Sequence, residues 1–266
     1  MVIGSIEEIK NNFIDKFPSI QFKKNHSGNY NNQMKDIIGK ALLDYQNGNY
    51  TEDILTETNI SEEDVLPIPY LFRDFSEMPS IEIKALELAK GKVLNVGCGA
   101  GSHALYLQEK GLDVMAIDSS KGAIEVCKLR GLNNVIHLDL LELKGETFDT
   151  ILLLSNGTGI FQEIAQIDQY LQHLKTLLNP NGQVLIDSSD LQYMYDSTEE
   201  GAILVPSNRY YGELEFTVKY KNNSSAPFKW LYLDETIFEN ATANCGFRFK
   251  VIERGENFDY LAKLYI

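Results

Sequence analysis

The run Val93-Leu94-Asn95-Val96-Gly97-Cys98-Gly99-Ala100-Gly101 constrains this chain more than any other stretch. An apolar, β-type segment ends in three glycines at alternate positions. A helix-like segment, His103 to Lys110, follows and stops at Gly111. Glycines at a strand-to-helix turn permit backbone conformations with positive φ and let a ligand approach where a Cβ would block it. The new helix also offers unpaired N–H groups at its start. The pattern predicts a turn that cradles a cofactor.

The downstream pattern extends this into a sheet. Leu112 to Asp118 reads as a second strand ending in a carboxylate, about 20 residues past the glycine turn, where an acid can accept both hydroxyls of an adenosine ribose. Ser119 lies beside it. A helix, Lys121 to Arg130, is closed by Gly131. The short strand Val135 to Leu138 ends at Asp139 and Leu140. The apolar strand Thr150 to Leu154 ends at Ser155-Asn156-Gly157. Polar groups at the C-terminal ends of parallel strands line the ligand crevice of an open α/β sheet.

These motifs resemble those of class I S-adenosylmethionine-dependent methyltransferases. The alternate glycines, Asp118 after the second strand, Asp139 after the third, Phe148-Asp149 before the fourth, and Leu177-Leu178-Asn179-Pro180-Asn181-Gly182 before the fifth occur in the family's order. The resemblance covers roughly Leu88 to Asp190, with a plausible two-strand tail. It implies a Rossmann-like, doubly wound α/β sheet of seven strands with a reversed seventh strand, and S-adenosylmethionine as cofactor. It also implies cofactor contacts from Gly97, Cys98, Gly99, Gly101, Asp118, Ser119, Asp139, Leu140 and Ser155. One position departs: Asn95 stands where the family has a carboxylate facing the methionine ammonium. A neutral hydrogen bond is worth about 0.5–1.5 kcal/mol and a charged one about 1.5–3 kcal/mol, so weaker cofactor binding is expected.

Residues 1–78 read as an N-terminal helical extension or lid, and residues 79–266 as the methyltransferase domain, with an insert at 191–233. Ser5 to Phe17 and Gln33 to Tyr45 have helical spacing, Phe22 to Asn32 reads as loop, and Glu52 to Asp64 as an acidic stretch before the extended Leu66 to Tyr70. In the insert, Tyr210–Tyr220 and Phe228–Leu233 read as a β-hairpin. Asp234 caps a helix to Asn244, and two strands end the chain.

Two residues are candidates for chemistry. His103, in the first turn beyond the glycines, could touch the methionine carboxylate, bond the acceptor or act as a base. Asn156 could face the transferring methyl group. Arg73 could pair with the methionine carboxylate through its planar fork, with Tyr70 as a wall. Tyr193, Tyr211 and Trp230 could form a substrate wall on the insert. Competing roles are capping for Asp139, and packing for the aromatic residues.

Composition narrows the partners. The formal net charge is −14, which argues against nucleic acid. No segment is long and apolar enough to span a bilayer. Three cysteines without metal spacing, and a start lacking the basic and apolar regions of a signal peptide, fit a cytoplasmic protein without a bound metal. The expected activity is methyl transfer to a small molecule by a monomer or homodimer. The alternatives are an NAD-dependent oxidoreductase, whose fingerprint wants its third glycine where Ser102 stands, and a non-catalytic cofactor-binding module.

Overall fold

The computed structural model describes residues 36–266. The expected helix Ser5–Phe17 and loop Phe22–Asn32 lie outside the described residues. The central sheet contains β3 (Lys92–Val96), β4 (Asp113–Asp118), β5 (Val135–His137), β6 (Phe148–Leu153), β7 (Leu178–Ser189), β11 (Arg248–Arg254) and β12 (Asp259–Tyr265). Their order is β11-β12-β7-β6-β3-β4-β5. The final strand, β12, runs antiparallel to both neighbours, while β7-β6-β3-β4-β5 are parallel. This is the expected seven-stranded sheet with its reversed last strand. Strand order reverses between β3 and β6, so the crevice opens at their C-terminal ends.

Alternation along the strands supplies two cores, because successive side chains point to opposite faces. Leu94, Val96, Ile151, Leu153, Val184 and Ile186 face α6 (Ile167–Thr176) and α7 (Glu235–Asn244). Val93, Ala116, Leu152 and Leu185 face α3 (Ser80–Leu88), α4 (Ser102–Glu109) and α5 (Lys121–Leu129). Burial on both faces accounts for the near-continuous apolar runs in these parallel strands.

The two regions outside the sheet differ from the expectation of a helical lid and a separate hairpin. Glu52 to Asp64 is not simply an acidic stretch. It contains β1 (Ile54–Thr58), which pairs with β2 (Asp64–Leu66) on one side and with β8 (Glu213–Tyr220) on the other. β8 also pairs with β10 (Phe228–Leu231), the expected hairpin partner, and with the two-residue β9 (Asn223–Ser224). The N-terminal region and the insert thus form one antiparallel sheet. The acids of β1 concealed it: Glu57 is exposed and ion-paired to Lys219, while Ile54 on the same strand is fully buried.

The segment expected to be extended, Leu66 to Tyr70, ends β2 and begins the short helix α2 (Ile68–Leu71). Pro67 is its N-cap and Pro69 lies in the first turn, where a missing N–H costs nothing. Helix α1 (Ile37–Gln46) joins this cap sheet to the central domain. Its Ile37 and Ala41 pack with Ile54, Ile68 and Val218. Its Leu42 packs with Ala100 of the glycine turn and with Ala123 and Val126 of α5. A fully buried Ile or Val contributes about 1.5–3 kcal/mol, so this contact holds the cap firmly beside the crevice.

Candidate active site

The glycine turn begins where β3 ends. Gly97, Gly99 and Gly101 have φ of 65°, 54° and 89°, the left-handed region that favours glycine. A Cβ on Gly99 would meet nothing within 4 Å, so its outer side is open. Gly101 is the N-cap of α4 and offers no side-chain cap, which leaves the first N–H groups of that helix without one. Arg130 fixes the turn from behind, donating from Nη1 to the Ala100 carbonyl at 2.7 Å. Cys98 is buried, with its Sγ 3.7 Å from Cys127 Sγ. The contact with Cys127, and then burial, push its thiol well above the ordinary range. Cys98 therefore offers the crevice its backbone rather than a nucleophile.

Asp118 ends β4 and stands against this turn. Its Oδ2 accepts from Gly99 N at 2.9 Å and its Oδ1 from Ser120 N at 2.8 Å. Burial raises its carboxyl above the usual range, and these two bonds oppose the rise. Each oxygen keeps a second lone pair for a ligand. Ser119 is exposed, and its carbonyl lies 2.9 Å from His137 Nε2. Asp139 caps a 3₁₀ turn through one oxygen, Oδ1 accepting from Leu141 N at 2.8 Å, which leaves Oδ2 for a further partner. The Leu140 side chain is buried in the core.

A cluster beside the glycine turn centres on a residue that the sequence did not single out. Glu82 of α3 is only 3% exposed. It binds Arg73 through both edges of the fork, with Nε at 3.2 Å from Oε2 and Nη2 on Oε1. Its Oε2 also lies 2.9 Å from His103 Nε2, and its Oε1 accepts from Ser155 Oγ at 3.2 Å. Burial alone would raise the Glu82 carboxyl. The His103 and Arg73 contacts outweigh it and hold the group below its ordinary value. Arg73, expected to meet the methionine carboxylate, is paired within the fold to Glu82, and its Nη1 donates to the Tyr70 carbonyl at 2.6 Å. A buried guanidinium needs a charge within the fold, and Glu82 supplies it. His103 likewise spends its Nε2 on Glu82.

Asp187, near the end of β7, is the second residue missed. It is buried, and burial pushes its carboxyl up to about 6. Its oxygens accept from Asn156 N and Gly157 N, both at 2.8 Å. This clamp holds Ser155 and Asn156 at φ 65° and 61°, two successive non-glycine residues in the left-handed region. Both acids had a readable signal. Glu82 lies on the buried stripe of Ile81, Ala85 and Leu86. Asp187 closes the apolar run Val184-Leu185-Ile186 as Asp118 closes its own strand.

The aromatic residues of the insert do not form one wall. Tyr211 is buried, and its hydroxyl lies 2.9 Å from Asp190 Oδ1 and 3.2 Å from Asp234 Oδ2, so its single proton is used inside the fold. Trp230 packs on Gly159; a Cβ there would fall 1.9 Å from its Cε2. Tyr193 alone of the three is exposed, stacked on Phe258 with centroids 5.1 Å apart.

The family profile described as "Methyltransferase domain" matches residues 93–182. A solved SAM-dependent methyltransferase from Bacteroides fragilis, in complex with S-adenosyl-L-homocysteine, is 38% identical, with a TM-score of 0.81. The match covers 88% of this chain and 95% of that one. The chain belongs to the S-adenosylmethionine-dependent methyltransferases. The ubiquinone biosynthesis O-methyltransferase of Rickettsia prowazekii (strain Madrid E) is 28% identical over 108 residues, 38% of this chain and 41% of the relative. The chain thus matches less than half the length of these curated relatives. The PH0226 protein of Pyrococcus horikoshii OT3 is 22% identical over 69% of this chain and 89% of its own, with a TM-score of 0.52, a likeness of fold.

The methyltransferase assignment replaces the NAD-dependent reading, which also wanted a glycine where Ser102 stands. One feature of this chain fits the family's cofactor directly. Asn95 is 1% exposed, and its buried Oδ1 has no hydrogen-bond partner among the described residues. A buried acceptor left unpaired costs about 1–3 kcal/mol, and an ammonium donor at the glycine turn would satisfy it. Among the described residues, no group of His, Cys, Asp and Glu is placed to hold a metal, and no helix is long and apolar enough to cross a membrane.

Proposed function

We propose that this methyltransferase transfers the methyl group of S-adenosylmethionine to a small-molecule acceptor held between the cap sheet and the Ser155–Asn156 turn. The unpaired, buried Asn95 Oδ1 beside an open glycine turn carries this reading. When bound, the cofactor supplies a methyl carbon already activated by its sulfonium. The protein's task is therefore mainly to hold and align. In this reading Asn95 accepts from the methionine ammonium, and the N–H groups of the Gly97–Gly101 turn face the methionine carboxylate. Asp118 accepts the ribose hydroxyls through its remaining lone pairs. Asp139 and the Leu140 backbone meet the adenine.

Arg73, Glu82 and His103 act as a positioning unit. They fix Ser155 and the start of α4, and His103 stays beside the crevice. Asp187 sets the backbone of Asn156, which faces the acceptor. Residues 36–78 and 191–233 together form the cap that excludes water from the crevice. Calorimetry tests the reading: S-adenosylhomocysteine should bind the folded protein and NAD should not. Absence of S-adenosylhomocysteine binding would refute it.

A further inference from the structure

The Ser155–Asn156 turn is surrounded by side chains that form one rim. Tyr70, on α2, is 43% exposed, and the Arg73 guanidinium carbon lies 4.0 Å from its ring centroid. Arg73 Nη2 is in turn 3.5 Å from Ser155 Oγ, which places Tyr70 at one side of the turn. Asn156 Nδ2 donates to the Leu231 carbonyl at 3.4 Å, which brings Tyr232 to the opposite side. Beneath the turn is the Asp187 carboxylate. Beyond it stands the exposed Tyr193–Phe258 stack, held to the end of β7 because Asp190 N donates to the Phe258 carbonyl at 3.0 Å. Neighbouring charges link the three phenols in pairs: Asp259 bears on Tyr70 and Tyr193, and Asp187 on Tyr70 and Tyr232. Burial, then Arg73, Glu82, Asp187 and Asp259, act on Tyr70, whose phenol is raised. Burial and Asp259 raise Tyr193. Burial, Tyr193 and Asp187 push Tyr232 up to about 12.

The rim is one-sided in its chemistry. It offers ring faces, phenol oxygens and the field of a buried carboxylate. Asn156 Oδ1 adds a buried acceptor with no hydrogen-bond partner among the described residues. The nearby cation, Arg73, and the His103 ring nitrogen Nε2 are both engaged by Glu82. An anionic acceptor would meet no uncommitted positive group in this rim. An amine matches it, because it offers N–H donors in both its protonated and neutral forms, and an ammonium is drawn to aromatic faces and to a carboxylate in low dielectric.

We propose that the methyl acceptor is a small amine, captured by the Tyr70, Tyr193 and Tyr232 rings above the Asn156–Asp187 turn; its neutral form would form the nitrogen–carbon bond through its lone pair as the carbon–sulfur bond of the sulfonium breaks, leaving S-adenosylhomocysteine, with the proton lost to solvent. This rests on the methyltransferase reading above and adds the acceptor's class to it.

Three probes of one shape and different charge test the idea: benzylamine, benzyl alcohol and benzoate, each titrated into protein saturated with S-adenosylhomocysteine and followed by saturation-transfer NMR and calorimetry. Benzylamine should bind at least tenfold more tightly than benzyl alcohol, and benzoate more weakly than either. Tyr193→Ala, at an exposed position, should weaken benzylamine at least fivefold without changing S-adenosylhomocysteine affinity, and Tyr193→Phe should retain it. Benzyl alcohol or benzoate binding as well as benzylamine would overturn the proposal, as would benzylamine affinity indifferent to Tyr193→Ala. S-adenosylhomocysteine binding is read separately in the first titration, so a failed amine site is distinguished from a failed cofactor site.

Discussion

Glu82→Gln is the most revealing substitution in this protein. The side chain keeps its shape and loses its charge. In the folded chain Glu82 accepts from Arg73, from Ser155 and in the His103 contact, and Arg73 and Glu82 are 6% and 3% exposed. Gln offers one oxygen where two are used, and its amide N–H groups confront guanidinium N–H groups. Removing one partner of a buried ion pair costs about 3–5 kcal/mol, since the other charge remains desolvated. For a domain of this size each kcal/mol lowers Tm by about 2–4 °C, so a fall on the order of 10 °C is expected. Urea unfolding should show a lower midpoint at unchanged m. The pH dependence adds a second reading. Glu82 is held below its ordinary value in the fold. Its stabilisation is therefore complete above the unfolded carboxylate's pKa and is lost as pH falls through the lower folded value. Glu82→Gln should remove that acid-side slope. Arg73→Met combined with Glu82→Leu should be less destabilised than Glu82→Leu alone. A loss below about 1 kcal/mol for Glu82→Gln would show that the pair contributes no more than a surface bridge, and would refute the reasoning.

Asp118→Ala should weaken S-adenosylhomocysteine binding by about 1.5–3 kcal/mol, the worth of charged hydrogen bonds, read by calorimetry. Asn95→Asp should tighten that binding by about 1 kcal/mol. The same change should destabilise the ligand-free protein by about 3 kcal/mol by burying a lone carboxylate, so the ligand-induced rise in Tm should grow. Asp187, raised to about 6, holds its proton more tightly in the fold than in the unfolded chain. Its contribution to stability should decline as pH rises from the ordinary Asp range to about 6 and level off above, a slope that urea midpoints should show to be absent in Asp187→Asn. Gly159→Ala should cost about 1–3 kcal/mol by displacing the Trp230 indole. Trp230 is the chain's one tryptophan, so a red-shifted emission would report the displacement directly.

The sequence by itself determined the central sheet and the glycine turn with its neighbouring acid. Each strand's apolar run, each terminating acid and each glycine turn is a local signal, set by backbone sterics and by side-chain alternation. The Gly97–Gly101 turn and Asp118 were legible for that reason, whereas the reversed β12 followed only from the family resemblance. Tertiary structure decided what depends on partners distant in the chain. β1 joins β8 across Leu55↔Lys219, so Glu52 to Asp64 and the insert, each ambiguous alone, become one sheet. Arg73 pairs with Glu82 because a buried cation needs a carboxylate, and only the packed fold brings that one to it. Tyr211 turns inward because Asp190 and Asp234 converge on its hydroxyl. Glu82 and Asp187 had local patterns that allowed burial, but their roles follow from which donors the packed helices and strands bring to them. Such convergence is set by the balance of desolvation against pairing, and that balance exists only once the chain has folded.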